Sequence, residues 1–596
     1  MIHTKQYAPG RWRRMLAAVG CGTLALCIAA TAPASAEEPS AEPVDLGPQL
    51  VANPTFAEGE VGDLPPGWDH RTAGQGYVKL AEEAGERFVS IGLNSAGEDS
   101  FIQQIVKLPE DAVSVRVSAT YRYSDVVPGA KGHMQGKVQA RLTEAGREIG
   151  GWIGLGDLTG TSEGWVSQVR EVAVPERADG LMLRIGFYSP ESGRIDVQAY
   201  GATVVTQAMV EARRAAFRPA EPFGPAVTQS RYDNLKHGLN INEWMCQPFN
   251  VRLDGEKGGY TAEHFRRYIT ERDIAMIRDM GFDHVRLAID PGFIMDDAGH
   301  LKPDLLGEVD RAIQMILNTG MAVIVDVHPK TNRFKAMRDN PVLARQFVPW
   351  WGQFARHLSS TDPERVFLEL LNEPGGQQFY GQQWSDYQDK LIMEVLRNAP
   401  EHTIIASSGG WQLVKDLAEF EPHPDRNIIY AVHYYEPSQF THQGAMWMKD
   451  WYRPLKGVPW PVTEENLDVA LAAVDEKHPA AEQAKKVLRD MVKQGIATHE
   501  RMLENMRTVA AWSKQHDRKV IINEFGVYID FAPRESRLIY LDALTKAMAD
   551  NDIHWSLWAY DANYDVVLNV DDPEARTPDT EVVEALNLRP AAAMAE

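Results

Sequence analysis

VFLELLNEP, Val366 to Pro374, and KVIINEFG, Lys519 to Gly526, are the stretches that decide the fold. Each is a short apolar run that ends on an Asn-Glu pair followed closely by a chain-turning residue, Pro374 or Gly526. Runs of this length rich in Val, Ile, Leu and Phe predict strands buried on both faces. Each run then delivers one glutamate, Glu373 or Glu524, to its carboxyl end.

Working outward, similar runs recur at Lys236 to Ile241, His284 to Ile289, Ala322 to Val327, Thr403 to Ser407, Ile428 to His433 and Ile553 to Trp558. With the first two they make eight strands. Helical periodicity lies between them, at Ala262 to Met280, Leu305 to Asn318, Val342 to Leu358, Trp384 to Leu396 and Arg537 to Ala549. Eight β/α alternations predict a closed (β/α)8 TIM barrel over residues 230–590, with function at the carboxyl ends of its strands. A doubly wound open sheet is the alternative, but no Gly-rich phosphate fingerprint follows the first strand. One connection is oversized. His442 to Gln515 holds Trp447, Trp451 and Trp460 and then a charged helical stretch, which either shapes a cleft or extends the outer ring of helices.

The amino-terminal part reads differently. Over residues 45–205 short alternating runs, such as VSVRVSATYRY at Val113 to Tyr123, are separated by turn residues, the pattern of a β-sandwich. Residues 206–229 read as a linker, with a short helix at Met209 to Phe217 and a Pro-rich stretch at Arg218 to Pro225. Residues 1–36 have the layout of an export signal: Lys5, Arg11, Arg13 and Arg14, an apolar stretch from Met15 to Ala32, and Ala34-Ser35-Ala36. A secreted or periplasmic location is expected, an uncleaved anchor being the alternative. Of three cysteines only Cys246 lies beyond that segment, so no internal disulfide and no cysteine-based zinc site is expected. The net charge of −22 disfavours nucleic acid and anionic membranes as partners and is compatible with a neutral sugar polymer.

Polar groups collect at the predicted strand ends. Arg286 lies in the second strand, His328 ends the third, and Asn372 and Glu373 end the fourth. His433 and Tyr435 end the sixth, Glu524 the seventh and Trp558 the eighth. A single such group is usually a satisfied buried hydrogen-bonder. Six strand ends converging on one barrel rim make a candidate site. Two carboxylates facing one cleft are the minimal equipment for cleaving a glycosidic bond. Neither His328 nor His433 has a metal-ligand spacing, so neither a metal nor another cofactor is expected.

HVRLAID (His284 to Asp290), VDVHP (Val325 to Pro329), LELLNEP (Leu368 to Pro374), HYYEP (His433 to Pro437), FTHQGAMW (Phe440 to Trp447), NEFG (Asn523 to Gly526) and WSLWAYD (Trp555 to Asp561) occur in order at barrel-strand spacing. In these pieces the second domain resembles glycoside hydrolase family 5, the family of many cellulases. The resemblance implies a retaining hydrolase with Glu373 as general acid/base and Glu524 as nucleophile. It implies that Asn372 donates to the sugar 2-hydroxyl, that His328 and His433 bind hydroxyls and orient the two carboxyls, and that Trp558 stacks under a sugar. Arg286 and Tyr435 would keep Glu524 ionised, while burial and that neighbouring charge would keep Glu373 protonated. Trp555 is expected in the core, Trp244 and Trp411 as further platforms, and Glu369 as a buried barrel residue. The implied substrate is a β-1,4-glucan, cellulose or a related polymer. β-Mannan, β-1,3-glucan and a non-catalytic carbohydrate-binding role are the alternatives. LVANPTFAEG (Leu50 to Gly59) and PPGW (Pro65 to Trp68) resemble the opening of a carbohydrate-binding module. Tyr77, Tyr121, Tyr123, Trp152, Trp165 and Tyr188 then either line a sugar-binding face or fill the sandwich core.

Overall fold

A computed structural model describes residues 47–589, apart from 74, 75, 132, 176, 254, 255, 332, 333, 335 and 336. The expected export signal lies outside the described residues. The chain divides into two compact units between Met209 and Val210.

The first unit is a sandwich of two antiparallel sheets. The five-stranded sheet orders Tyr77–Glu83, Glu86–Gly92, Ser192–Thr206, Ala112–Val127 and Val166–Ala173. The second sheet orders Asp69–Ala73, Asp99–Lys107, Gly180–Phe187, Gly136–Glu144 and Arg147–Glu148, with Ile153–Leu158 also paired to Gly136–Glu144. The period-2 rule assigns the faces. In GLMLRIGF, Leu181, Leu183, Ile185 and Phe187 enter the core, which leaves Met182 and Arg184 on the outer face. The quoted opening segment closes one end of this core: Phe56 and Trp68 are buried, and the Trp68 ring stacks on Tyr200 at 5.8 Å. Tyr121 is also core, its hydroxyl donating to the Leu155 carbonyl, so it faces no ligand. Alternation is weak in the strands Asp69–Ala73, where DHRTA is wholly polar at its start, and Asp99–Lys107, where DSFIQQIVK mixes Gln with apolar residues on both faces.

In the second unit eight parallel strands close into a barrel: β1 (His237–Met245), β2 (His284–Ile289), β3 (Ala322–Val327), β4 (Val366–Glu369), β5 (Ile404–Ser407), β6 (Ile428–Tyr434), β7 (Lys519–Phe525) and β8 (His554–Leu557). Closure is by β8 against β1, with His237 opposite Trp555. Side-chain alternation builds the interior in layers. Ile324, Phe367, Ile405, Ile429 and Ile521 fill the amino-terminal end, packed against Tyr232 and Leu235. Two residues further along the same strands the inward positions turn polar: Asp326 above Ile324, Glu369 above Phe367, Asn523 above Ile521. The outward Val323, Val325 and Leu368 join the large apolar shell under the helices.

The helix expected over Ala262 to Met280 is two helices, Ala262–Tyr268 and Glu271–Asp279. Ile269 is extended between them, and Thr270 starts the second with a capping box whose Asp273 carboxylate accepts from the Thr270 N–H at 2.8 Å. The segment read as a linker is folded: Gln207–Phe217 is helical, and the Phe223 N–H donates to the Pro424 carbonyl while the Phe223 carbonyl accepts from the Arg426 N–H. The long β6–β7 connection ends in the helix His499–His516, which buries Met502, Met506, Val509 and Trp512 in the apolar shell. Earlier in it, Trp460 is buried while Trp447 is exposed.

Candidate active site

Arg286 is the centre of the site. It is fully buried on β2, and all five of its N–H donors are used. Nε and Nη2 form a fork on the Glu369 carboxylate at 2.7 Å each. Nη1 donates to Asn240 Oδ1 at 2.8 Å and to Glu524 Oε1 at 2.7 Å. Nη2 also reaches Asn372 Oδ1 at 2.8 Å, and Asp326 lies 3.0 Å away. Burial opposes this charge, but Asp326, Glu369 and Glu524 outweigh it and hold the guanidinium protonated. The carboxylates feel burial in the other direction: Asp326 is pushed up to about 7, and Glu369 is also raised, although Arg286 offsets part of the effect.

The cation thereby fixes two residues at the ends of other strands. Asn372 gives its Oδ1 to Arg286, so its amide nitrogen faces His328 Nε2 at 3.0 Å. His328 Nδ1 in turn lies 2.8 Å from Asp326 Oδ2. Burial drives the His328 ring well below its ordinary range, so it is neutral, with Nδ1 donating and Nε2 accepting. One Asn372 amide hydrogen is engaged by His328. The other is not used among the described residues. His328 thus orients Asn372 and touches neither Glu373 nor Glu524, which corrects the expectation that it positions a carboxyl.

Glu524 ends β7 with 6% of its side chain exposed. It accepts from Arg286 on one oxygen and from the Tyr435 hydroxyl at 3.1 Å on the other. Glu373 sits just beyond β4 in the left-handed region, φ 40° and ψ 71°, a conformation that costs a non-glycine residue about 1–3 kcal/mol. His433 Nδ1 lies between the two acids, 3.1 Å from Glu373 Oε1 and 3.5 Å from Glu524 Oε2. One oxygen of each carboxylate and a ring nitrogen of His433 all lie within 4.8 Å of one another. Sequence placed these groups on three strands; the barrel brings them into one cluster.

The protonation expected for Glu373 is not the one its surroundings favour. Burial pushes its carboxyl up, but the His433 hydrogen bond and charge, with Lys330 and Arg286 beyond, bring it below the ordinary range. Burial lowers His433, and this is outweighed by the Glu524 charge and the Glu373 hydrogen bond, so its imidazole is raised. Both directions favour an imidazolium–carboxylate pair over a neutral one.

Trp558 reaches the site from β8 with 8% of its surface exposed, its ring 5.5 Å from His328 and packed among Ala445, Tyr528 and Tyr564. Trp555 is core, edge-on to Phe525 and Phe282. Trp244 is no platform: it is fully buried, with its indole N–H donating to the Phe265 carbonyl. Trp411, after β5, is 46% exposed and its ring would lie 3.6 Å from a Cβ on Gly376, beside Glu373. Three contributors went unrecognised in the sequence: Asn240, Asp326 and His442, whose ring meets Tyr435 at 4.8 Å and which burial lowers to about 4. The period of 2 through VDVHP was the available signal for Asp326.

Comparison with known proteins agrees with this arrangement. The family model for cellulase, glycosyl hydrolase family 5, matches residues 247–564. Endoglucanase 3 of Fibrobacter succinogenes is 27% identical over 56% of this chain and 51% of its own length. Cellodextrinase A of Ruminococcus flavefaciens is 32% identical over 36% of this chain and 62% of its own. Endoglucanase C of Acetivibrio thermocellus is 26% identical over 55% of this chain and 91% of its own. The chain spans about half the length of the first of these relatives and about three fifths of the second.

Proposed function

The chain belongs to glycosyl hydrolase family 5, the cellulase family, and on that premise we propose that it hydrolyses β-1,4-glucosidic bonds with retention of anomeric configuration. The observation that carries the reading is the approach of Glu373 and Glu524 to within 4.8 Å, with His433 between them. Retaining enzymes hold their carboxyl groups about 5–5.5 Å apart, whereas inversion needs room for a water at about 6.5–9.5 Å.

Glu524, charged and aligned by Arg286 and Tyr435, attacks the anomeric carbon as the bond to the leaving oxygen breaks. Glu373 gives that oxygen its proton. His433 supplies it: as Glu524 becomes an ester its charge disappears, and with it the main reason for the proton to rest on His433. The proton moves along the 3.1 Å hydrogen bond to Glu373 and on to the departing sugar. Glu373 then takes a proton from water as the water oxygen attacks the anomeric carbon and displaces Glu524; with the Glu524 charge restored, the proton returns from Glu373 to His433 along the same hydrogen bond. The unused Asn372 amide hydrogen serves the 2-hydroxyl, a contact that strengthens as positive charge develops on the ring. Trp558 packs against the sugar at the cleaved bond.

The substrate reading is tested by product analysis on barley β-glucan, carboxymethylcellulose, mannan and laminarin, with Glu524→Gln as control. Activity on mannan or laminarin alone would reject the β-1,4-glucan assignment. Early proton NMR of the product decides the stereochemistry: the β-anomer appears first in a retaining reaction.

For the sandwich we propose a glycan-binding role on the outer face of the second sheet. Trp152 is 39% exposed there, Arg141 and Arg184 lie over its ring, and Phe101 stacks on Tyr188 at 5.4 Å. Retardation of the full chain in a gel containing soluble β-glucan, lost in Trp152→Ala, is expected. Equal retardation of both proteins would remove this face from binding.

A further inference from the structure

The acid/base residue holds a main-chain conformation that few side chains adopt, and something must keep it there. Glu373 has φ 40°. That N–H donates to Gln412 Oε1 at 2.7 Å. Gln412 itself is fully buried and left-handed, φ 57°, in the loop after β5. Its own carbonyl accepts from the His433 N–H at 2.8 Å. One residue in the loop after β5 thus holds the main chain at Glu373, after β4, through its side chain, and the main chain at His433, on β6, through its backbone. These are the two ends of the 3.1 Å hydrogen bond that carries the proton.

The loop around Gln412 is braced for this task. The Gly375 N–H donates to the Gly410 carbonyl, and a Cβ on Gly375 would lie 2.6 Å from that peptide. Gly409, at φ 89°, leaves room for Trp384, whose ring a Cβ would meet at 2.6 Å. Neither loop can drift independently of the other.

We infer that Gln412 is a positioning residue for the acid–base step: by fixing the main chain of Glu373 and His433 together, it sets the carboxyl against the leaving oxygen. This rests on the assignment of Glu373 as acid/base. Loss of Gln412 should impair only what the acid/base does. A sugar leaving group needs a proton to depart, whereas 2,4-dinitrophenolate does not.

The test compares kcat/KM on cellotetraose and on 2,4-dinitrophenyl β-cellobioside for wild type, Gln412→Met and Glu373→Gln. Gln412→Met keeps the volume and removes the acceptor. It is expected to lose roughly 30- to 100-fold on cellotetraose, the scale of a misplaced catalytic group. On the dinitrophenyl substrate it should lose less than about threefold in kcat/KM. Its reduced kcat there should be restored by azide, a nucleophile that needs no general base. Gln412→Glu, which retains an acceptor oxygen, should recover part of the cellotetraose activity. Gln412→Asn, which withdraws the acceptor by one methylene, should show the same pattern if the Met variant does not fold. Equal losses on both substrates, or none, would overturn the inference. If Glu373→Gln shows the leaving-group dependence and Gln412→Met does not, the inference alone fails. If Glu373→Gln shows none either, the acid–base assignment falls and the inference falls with it.

Discussion

Replacing Arg286 by Lys keeps the charge and removes the fork, and the structure sets the size of the loss. Arg286 makes five hydrogen bonds, to Glu369 twice, Asn240, Asn372 and Glu524, all at 2.7–2.8 Å and all buried. An ammonium has three donors, so at least two of these bonds disappear. Hydrogen bonds to charged partners are worth about 1.5–3 kcal/mol each, which gives a loss of about 3–6 kcal/mol. At about 2 °C per kcal/mol for a domain of this size, Tm should fall by about 6–12 °C. The functional loss is larger than the stability loss suggests, because Glu524 and Asn372 take their positions from the same group. A drift of about 1 Å in either costs about 100-fold in kcat/KM. Differential scanning calorimetry and initial rates on cellotetraose read the two effects. A variant with Tm within about 2 °C of wild type and kcat/KM within about threefold would refute the view that this guanidinium assembles the site.

Four further outcomes are expected, from three variants. His433→Asn should move the alkaline limb of kcat/KM to lower pH, because the shared proton passes from an imidazole raised above 6.5 to a carboxyl; an unmoved limb would exclude His433 as the proton's resting place. The same pair governs stability with opposite signs: the raised His433 stabilises below 6.5 and ceases to do so as pH rises through its folded value, whereas the lowered Glu373 stabilises above 4.5 and ceases as pH falls through its own. Wild type should therefore gain from both only between those limits, and His433→Asn should lose that gain in a pH series of melting curves. Gly526→Ala places a Cβ 2.2 Å from the Trp558 carbonyl, and this overpacking should cost about 1–3 kcal/mol and displace the Trp558 ring, read as lower Tm and altered tryptophan fluorescence; a wild-type Tm would show that β7 and β8 have slack. Trp411→Ala should leave Tm unchanged and raise KM for long glucans about fivefold, the size of one aromatic contact; unchanged KM would leave Trp411 outside the cleft.

Much of the barrel was legible because its strands are buried on both faces and so read as unbroken apolar runs; His284–Ile289 and Ala322–Val327 fall where the sequence places them. The carboxylates were legible because barrel geometry collects strand ends. What escaped notice lay in interactions between strands. Asp326 and Asn240 interrupt apolar runs by one residue, and only the closed barrel turns them toward Arg286. Trp244 and Trp411 follow strand ends alike in sequence, yet one donates into the helix layer at Phe265 and the other faces solvent. The protonation of Glu373 depended on His433 Nδ1 lying 3.1 Å away, a distance across two strands that no spacing encodes. Gln412 sits in an irregular loop, where neither period nor composition marks it.

In the proposed reaction Glu524 becomes covalently bound to sugar. Incubation with 2,4-dinitrophenyl 2-deoxy-2-fluoro-β-cellobioside, followed by peptide mass spectrometry, measures this directly. Stoichiometric labelling of the peptide containing Glu524, at that residue, is the predicted result. An active protein that acquires no label, or acquires it on Glu373 or elsewhere, would contradict the mechanism.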